Sequence, residues 1–136
     1  MALANGNGGY QLGDGNLSEV TLRTSPTPAT ATVTATLTVD QVTAGILLGS
    51  PGTSAASYTL PTVAALEAVV SSAKVGSSFD LSVVNVDGSS SGVITLVAGT
   101  GWTLVGLATV VATAGTAQLF RARKSGDGAW SLYRIA

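Results

Sequence analysis

The residues best suited to bind a ligand lie near the N-terminus, in the stretch NGNGGYQLGDGN. Glycine, asparagine and aspartate at this density are typical of phosphate and calcium loops. A dinucleotide loop needs a third glycine where this chain has Gln11 or Ser18. A calcium loop beginning at Asp14 would need glycine at Glu19 and glutamate at Ser25. Both interpretations fail, and we predict neither a cofactor nor a metal.

Residues that could catalyse a reaction are few. Asp80 and Asp87 could act as acid and base, but nothing in the sequence brings them into one cleft. The serines at 89–91 have no neighbouring base, and the chain contains no histidine and no cysteine. This inventory excludes Ser-His-Asp triads, cysteine nucleophiles and zinc fingers. We therefore predict no catalytic residue and no enzyme activity.

Two further groups of residues could contact a partner. Trp102, Trp130 and Tyr133 could form a sugar-binding platform, as in an adhesin-type carbohydrate-binding module, or could anchor the core or an interface. The final hairpin holds four of the six basic residues. These residues, namely Arg121, Arg123, Lys124 and Arg134, form either a solvated face or a contact with an acidic partner. Of these, Arg121, Arg123 and Arg134 are the candidate contact residues.

The composition restricts the class of partner. Charged residues make up 10% of the chain, and the net charge is -1, whereas about 25% charged residues is usual. We predict no nucleic-acid partner, because no basic patch is available. We predict no membrane span and no signal peptide, because a long apolar run and a basic, apolar start are both missing. A surface of Thr, Ser, Ala and Gly suits a protein packed against other subunits, although a merely neutral surface is the alternative.

The elements that position these residues begin with TATVTATLTV, which predicts one strand whose apolar face holds Val33, Ala35, Leu37 and Val39. AGILLG predicts a second, fully apolar strand. In YTLPTVAALEAVVSS, a strand end is followed by a helix that starts at Pro61-Thr62 and is closed by Gly76. The residues predicted on its buried face are Val63, Leu66 and Val70, widened by Ala65 and Val69, with Glu67 pointing away.

The second half of the chain is predicted to form short strands. SSFDLSVVNV predicts a strand with Phe79, Leu81 and Val83 inward, and DGSSSG predicts a turn. VITLVAGTGWTLVG predicts two strands, and ATVVAT a further one. TAQLFRARK and AWSLYRI flank SGDG as a hairpin, with Phe120 and Ala122 on one face and Arg121 and Arg123 on the other.

Together these segments predict a mainly β protein. It is a single compact sandwich- or barrel-like domain over residues 30–136, with one short helix, preceded by an extended arm over residues 1–29. The arm ends in SPTPA, whose spaced prolines favour an extended hinge. Its apolar anchors, and our predicted partner-binding residues, are Leu3, Tyr10, Leu12, Leu17, Val20 and Leu22. We expect the arm to be disordered in the free protein and to add as a strand to a partner's sheet.

Six segments spread over nearly the whole chain resemble the decoration (cement) proteins of tailed double-stranded DNA bacteriophage capsids. They are NGNGGYQLGDGN, LTVDQVTAGILLGSP, YTLPTVAALEAVV, VGSSFDLSVVN, VITLVAGTGWTLVG and FRARKSGDGAWSLYR. The resemblance implies a β-rich body that forms a homotrimer on the outer surface of the phage head. It implies an arm that clamps neighbouring major capsid proteins, and no enzyme activity. A phage tail or fibre component is the alternative within the same class.

Overall fold

The structure, a computed structural model, describes residues 24–87, 92–111 and 116–136. These residues form ten strands and two helices, so the mainly β prediction is confirmed. In chain order the elements are β1 Ala29–Ala31, β2 Ala35–Thr36, α1 Val39–Thr43, β3 Ile46–Gly49, β4 Ala56–Thr59, α2 Val63–Val69, β5 Ser78–Asn85, β6 Ile94–Val97, β7 Trp102–Val105, β8 Thr109–Val110, β9 Thr116–Gly126 and β10 Ala129–Arg134.

The strands form two sheets that enclose one core. The six-stranded sheet has the order β1-β3-β5-β9-β10-β7, and the four-stranded sheet has the order β2-β4-β6-β8. From β1 to β9 the chain changes sheet at every strand. The first six strands therefore wind as three stacked coils, and the neighbours β1-β3-β5 and β2-β4-β6 pair in parallel. Strands that follow one another in the chain therefore lie in opposite sheets, and within a sheet each of these strands pairs with the strand two places before or after it.

The core is apolar and closely packed between the layers. Tyr58 and Ile94 of the four-stranded sheet and Leu81 and Phe120 of the six-stranded sheet are all buried. At Gly49 the layers approach so closely that an added Cβ would collide with the Ile94 side chain and crowd the Tyr58 ring. The Tyr58 hydroxyl donates to the backbone oxygens of Ala31 and Thr32, at 3.1 and 2.8 Å, and so ties the first coil to the second.

The single strand predicted over TATVTATLTV is only partly formed. The segment contains the end of β1, an irregular stretch in which Val33 is 71% exposed, β2 and the start of α1. The change to α1 is caused by a capping box, in which the Thr38 hydroxyl accepts from the Gln41 amide and the Gln41 side chain accepts from the Thr38 amide. These local bonds stabilise a helix start over the strand that the alternation favours. The fold therefore has a second short helix that the sequence did not predict.

The other predicted elements are found with smaller differences. Thr62 caps α2, but the helix ends at Val69 and its cap is Val70, well before Gly76. Val69 is exposed, whereas Val63 and Leu66 are buried as predicted. β3, β5, β6, β7, β8 and the β9-β10 hairpin coincide with the predicted strands. The predicted DGSSSG turn falls largely outside the described residues, and so do the six arm anchors and the glycine-rich stretch. The division at residue 29 stays a prediction.

Candidate interaction surface

The outer face of the four-stranded sheet carries no charge. Strands β2, β4, β6 and β8 contain no charged residue at all. The register aligns Thr36, Thr59 and Val97 in one row and Ser57, Thr95 and Thr109 in the next. We call this surface the threonine face; its members are Thr36, Ser57, Thr59, Thr95, Val97, Thr109 and Val111. Val97 and Val111 are 39% and 50% exposed, so the face is uncharged and partly apolar.

The outer face of the six-stranded sheet is different, and we call it the mixed face. Its four cross-sheet rows are Leu48-Val84-Ala117, Ile46-Ser82-Leu119, Asp80-Arg121-Tyr133-Val105 and Ser78-Arg123-Ser131-Thr103. The first two rows are largely apolar and the last two are polar. One side of this face can therefore contact an apolar segment and the other side a charged one.

A bidentate ion pair occupies the centre of the mixed face. Arg121 Nε and Nη2 donate to Asp80 Oδ1 and Oδ2, at 2.7 and 3.1 Å. The bond to Asp80 raises the pKa of the Arg121 guanidinium above its already high value. Both side chains are about half exposed, so solvent screens the pair and we expect it to contribute little to stability.

The predicted basic group is divided by the structure. Arg121 and Arg123 share the mixed face, as predicted, and Arg123 forms no ion pair with any described residue. Arg134 lies opposite Phe120 in the register, and so on the other side of the sheet, at its exposed end. Lys124 points inward and is buried. Of the candidate contact residues for an acidic partner, only Arg121 and Arg123 are brought together.

Lys124 takes part in a cluster that joins α2 to the final hairpin. Its Nζ lies 2.9 Å from Glu67 Oε1 and donates to the Ala73 carbonyl at 3.3 Å. The Trp130 Nε1–H donates to the same Glu67 oxygen, at 3.1 Å. The bonds from Lys124 and Trp130 lower the pKa of Glu67, and the bond to Glu67 raises the pKa of Lys124. The prediction that Glu67 points away is wrong, because it provides the acceptor that fixes the helix to the sheet.

Both tryptophans belong to the interior. Trp102 and Trp130 are 7% and 2% exposed, and their rings pack against each other with centroids 6.1 Å apart. The Trp102 Nε1–H donates to the Pro61 carbonyl at 2.7 Å. A sugar platform needs exposed ring faces, so the tryptophans do not provide one. Tyr133, on the mixed face, is half-buried and stands apart from them.

The described residues bring no catalytic set together. Asp80 lies on β5 and Asp87 lies two residues past its end, a separation of about 23 Å along an extended chain. Within residues 24–87, 92–111 and 116–136, no group of three acidic side chains could hold a metal. The buried Asn85 side chain donates to the Gly92 and Val111 carbonyls, at 2.9 and 3.1 Å, and is a structural link between strand ends.

An open cleft of about 670 Å³ lies on the mixed face, beside the first described residues. Thr24, Ser25 and Pro26 form one wall, and the row Ile46-Ser82-Leu119, together with Asp80 and Arg121, contributes to its lining. From here the chain runs into β1, the edge strand of this sheet. No sequence pattern indicated the cleft, because it depends on the register of three strands that are distant in sequence.

Comparisons with protein-family models, with curated proteins and with solved structures found no match. Neither helix of the described chain is long and apolar enough to cross a membrane.

Proposed function

We propose that this chain is a capsid decoration (cement) protein of a tailed double-stranded DNA bacteriophage. On this proposal it sits on the outer surface of the phage head as a homotrimer. Its N-terminal arm binds neighbouring major capsid proteins, and it carries out no enzymatic reaction. The proposal joins the resemblance of six sequence segments to the surface chemistry of the body.

The observation that carries the proposal is the threonine face. None of the four strands of this sheet carries a charged residue, whereas a small domain normally relies on surface charge for solubility. Interface centres between proteins are poor in charged residues because desolvating a charge is costly. The threonine face therefore supports close contact with another protein subunit, either a second copy or a capsid protein.

The mechanism is multivalent clamping. Three arms on one trimer bind the same lattice, so each binding event raises the effective concentration of the next arm. A ligand that binds only the assembled lattice stabilises that lattice. The capsid thereby gains resistance to the internal pressure of the packaged DNA.

The alternative of a carbohydrate-binding module loses its main support, because Trp102 and Trp130 are buried. A tail or fibre component would use the same uncharged face, and capsid binding distinguishes it from a cement protein.

The test is co-sedimentation with purified capsids that lack the protein, together with analytical ultracentrifugation. The full chain should be a trimer and should bind capsids. A version lacking residues 2–28 should remain a trimer and should fail to bind. A full chain that does not bind capsids would contradict the proposal, and loss of the trimer on truncation would assign the arm to subunit contact.

A further inference from the structure

The two sheets differ in how their edge strands are protected. The six-stranded sheet ends on one side in β1, which follows Pro26 and Pro28. On the open side of β1, the Thr30 carbonyl accepts a hydrogen bond from the Gln41 side chain of α1, at 2.7 Å. Prolines and covering groups keep an edge strand from pairing with a strand of another molecule. The six-stranded sheet is therefore blocked at β1.

The four-stranded sheet has no such protection at β2, its first edge strand. The Leu37 N–H donates to the Thr59 carbonyl of β4. Because backbone groups alternate in direction along a ladder, the N–H and C=O of Thr36 point to the open side. Neither group has a hydrogen-bond partner among the described residues.

The opposite edge strand of the same sheet, β8, is open in the same way. The Leu96 N–H donates to the Ala108 carbonyl, and Thr95 and Thr109 are the next pair of the antiparallel ladder. In such a ladder this next pair exchanges no hydrogen bonds, so the N–H and C=O of Thr109 point away from β6. Each edge of the sheet therefore presents one free backbone donor and one free acceptor within the described chain.

The surroundings of both edges are uncharged and partly apolar. Val33, just before β2, is 71% exposed, and Leu107, just before β8, is 64% exposed. Residues 24–39 include no charged residue, and neither do the described residues between 92 and 120. A charged partner surface would lose its hydration at these edges without gaining an opposite charge. A second copy of this chain brings an uncharged edge with matching backbone groups.

We propose that copies of this chain associate head to tail through the four-stranded sheet, with β2 of one copy beside β8 of the next. Each junction pairs the backbone groups of Thr36 and Thr109 and covers Val33 and Leu107. Head-to-tail contacts can close into a ring, whereas an edge that pairs with itself gives a two-fold dimer. The inference rests on the homotrimer of the proposed function, which sets the ring at three copies. It adds the interface, and it joins the threonine faces of the copies into one uncharged surface.

The first test is analytical ultracentrifugation of the full chain with a charge placed at either edge. Val33→Lys and Leu107→Lys should each raise the dissociation constant at least about tenfold, because each leaves an unpaired charge in the junction. The matched control is Val75→Lys, at a residue that is 61% exposed and belongs to neither edge. It should change the dissociation constant by less than about threefold.

The second test removes single backbone donors. Thr36→Pro and Thr109→Pro each delete an N–H that points to the open side, a position where edge strands tolerate proline. Each variant alone should be a monomer. An equimolar mixture should form dimers and nothing larger, because each variant keeps one intact edge. Thr30→Pro in β1 is the control and should remain a trimer. Hydrogen exchange in β5 and β9 checks the fold, and if a proline variant does not fold, the lysine variants decide.

Four results would overturn the inference. They are a full chain that does not self-associate, a trimer that persists in both lysine variants, a mixture of the proline variants that forms trimers, and loss of association in only one proline variant. The last result would mean that one edge pairs with itself. Capsid co-sedimentation tests the proposed function separately. A chain that forms trimers through these edges but does not bind capsids would contradict the proposed function and leave the interface standing.

Discussion

The threonine face and the mixed face cover the same core from opposite sides, yet they differ in charge and in what lies over them. The threonine face has no charged residue and no described segment across it. The mixed face has a bidentate Asp80–Arg121 pair, an Arg123 that has no ion pair among the described residues, and a cleft lined in part by Thr24–Pro26. Of the two sheets, the four-stranded one is therefore the better candidate for contact between subunits.

The largest expected effect follows from placing a charge on the threonine face. Thr95→Lys should weaken either self-association or capsid binding by at least about a hundredfold, because a buried, unpaired charge at an interface costs several kcal/mol. Ultracentrifugation reports the first contact and capsid co-sedimentation the second. The matched control is Thr103→Lys on the mixed face, which should change neither by more than about threefold. If Thr95→Lys leaves both readouts unchanged, the threonine face is only a neutral surface.

The next effect concerns the interior that both faces share. Trp102→Phe removes the donor to the Pro61 carbonyl and leaves a small void, so it should lower the free energy of unfolding by about 1–3 kcal/mol. Urea denaturation measures the loss. Tyr133→Phe on the mixed face is the control and should have a much smaller effect. Specific glycan binding that disappears in Trp102→Phe but not in Tyr133→Phe would restore the carbohydrate-binding interpretation.

A third comparison sets two ion pairs against each other. Glu67→Gln should lower the melting temperature more than Asp80→Asn does. Lys124 is largely buried and would lose its nearer carboxylate, keeping only the exposed Asp127 at 3.7 Å, whereas Arg121 remains hydrated on the mixed face. Thermal denaturation of both variants at pH 7 gives the order. Equal shifts in melting temperature would show that the Glu67–Lys124 pair stabilises the fold no more than the exposed Asp80–Arg121 pair does.

The same cluster predicts a dependence on acid. The pKa of Glu67 is lower in the folded chain than its ordinary value of 4.5. Its contribution to stability is therefore complete above about pH 4.5, and it is lost as the pH falls through the lowered folded value. Melting temperatures measured between pH 7 and pH 3 should fall less steeply in Glu67→Gln than in the wild type. If the melting temperatures of the two proteins fall in parallel with pH, Glu67 is not the source of the acid dependence.

The smallest effect is expected at Arg123. Arg123→Gln should leave the melting temperature unchanged within measurement error, because the side chain is exposed and has no ion pair among the described residues. If Arg123 contacts an acidic partner surface, this variant should bind capsids more weakly than the wild type at low salt, and its binding should fall less steeply as salt rises. A clear loss of stability would mean that the residue has a structural role.

The sequence predicted those parts of the fold that depend on local pattern. Alternation placed Leu81 and Val83 inside β5, and SGDG marked the turn of the last hairpin. It failed where two local signals competed, as at Thr38, where side-chain capping overrode the alternation of TATVTATLTV. Helix periodicity predicted that Glu67 points away, because the pattern describes only the helix itself. It carries no information on the neighbouring hairpin, from which Lys124 and Trp130 bond to the Glu67 carboxylate.

The surfaces were less predictable than the strands. The low charge of the chain indicated a protein with subunit contacts, but not that all four strands of one sheet would be uncharged. That distribution requires knowing that β2, β4, β6 and β8 form one sheet, although 72 residues lie between the end of β2 at Thr36 and the start of β8 at Thr109. The division of the basic residues likewise depends on register, since Arg134 lies opposite Phe120 and away from Arg121.

The most direct test of the central claim is an electron cryomicroscopy reconstruction of capsids with and without this protein. We predict additional density on the outer surface with the shape of a two-layer β sandwich in three copies. From the position of Thr24 in each copy, density for the arm should run to a neighbouring major capsid protein. Identical reconstructions, at protein concentrations that saturate co-sedimentation, would contradict the account.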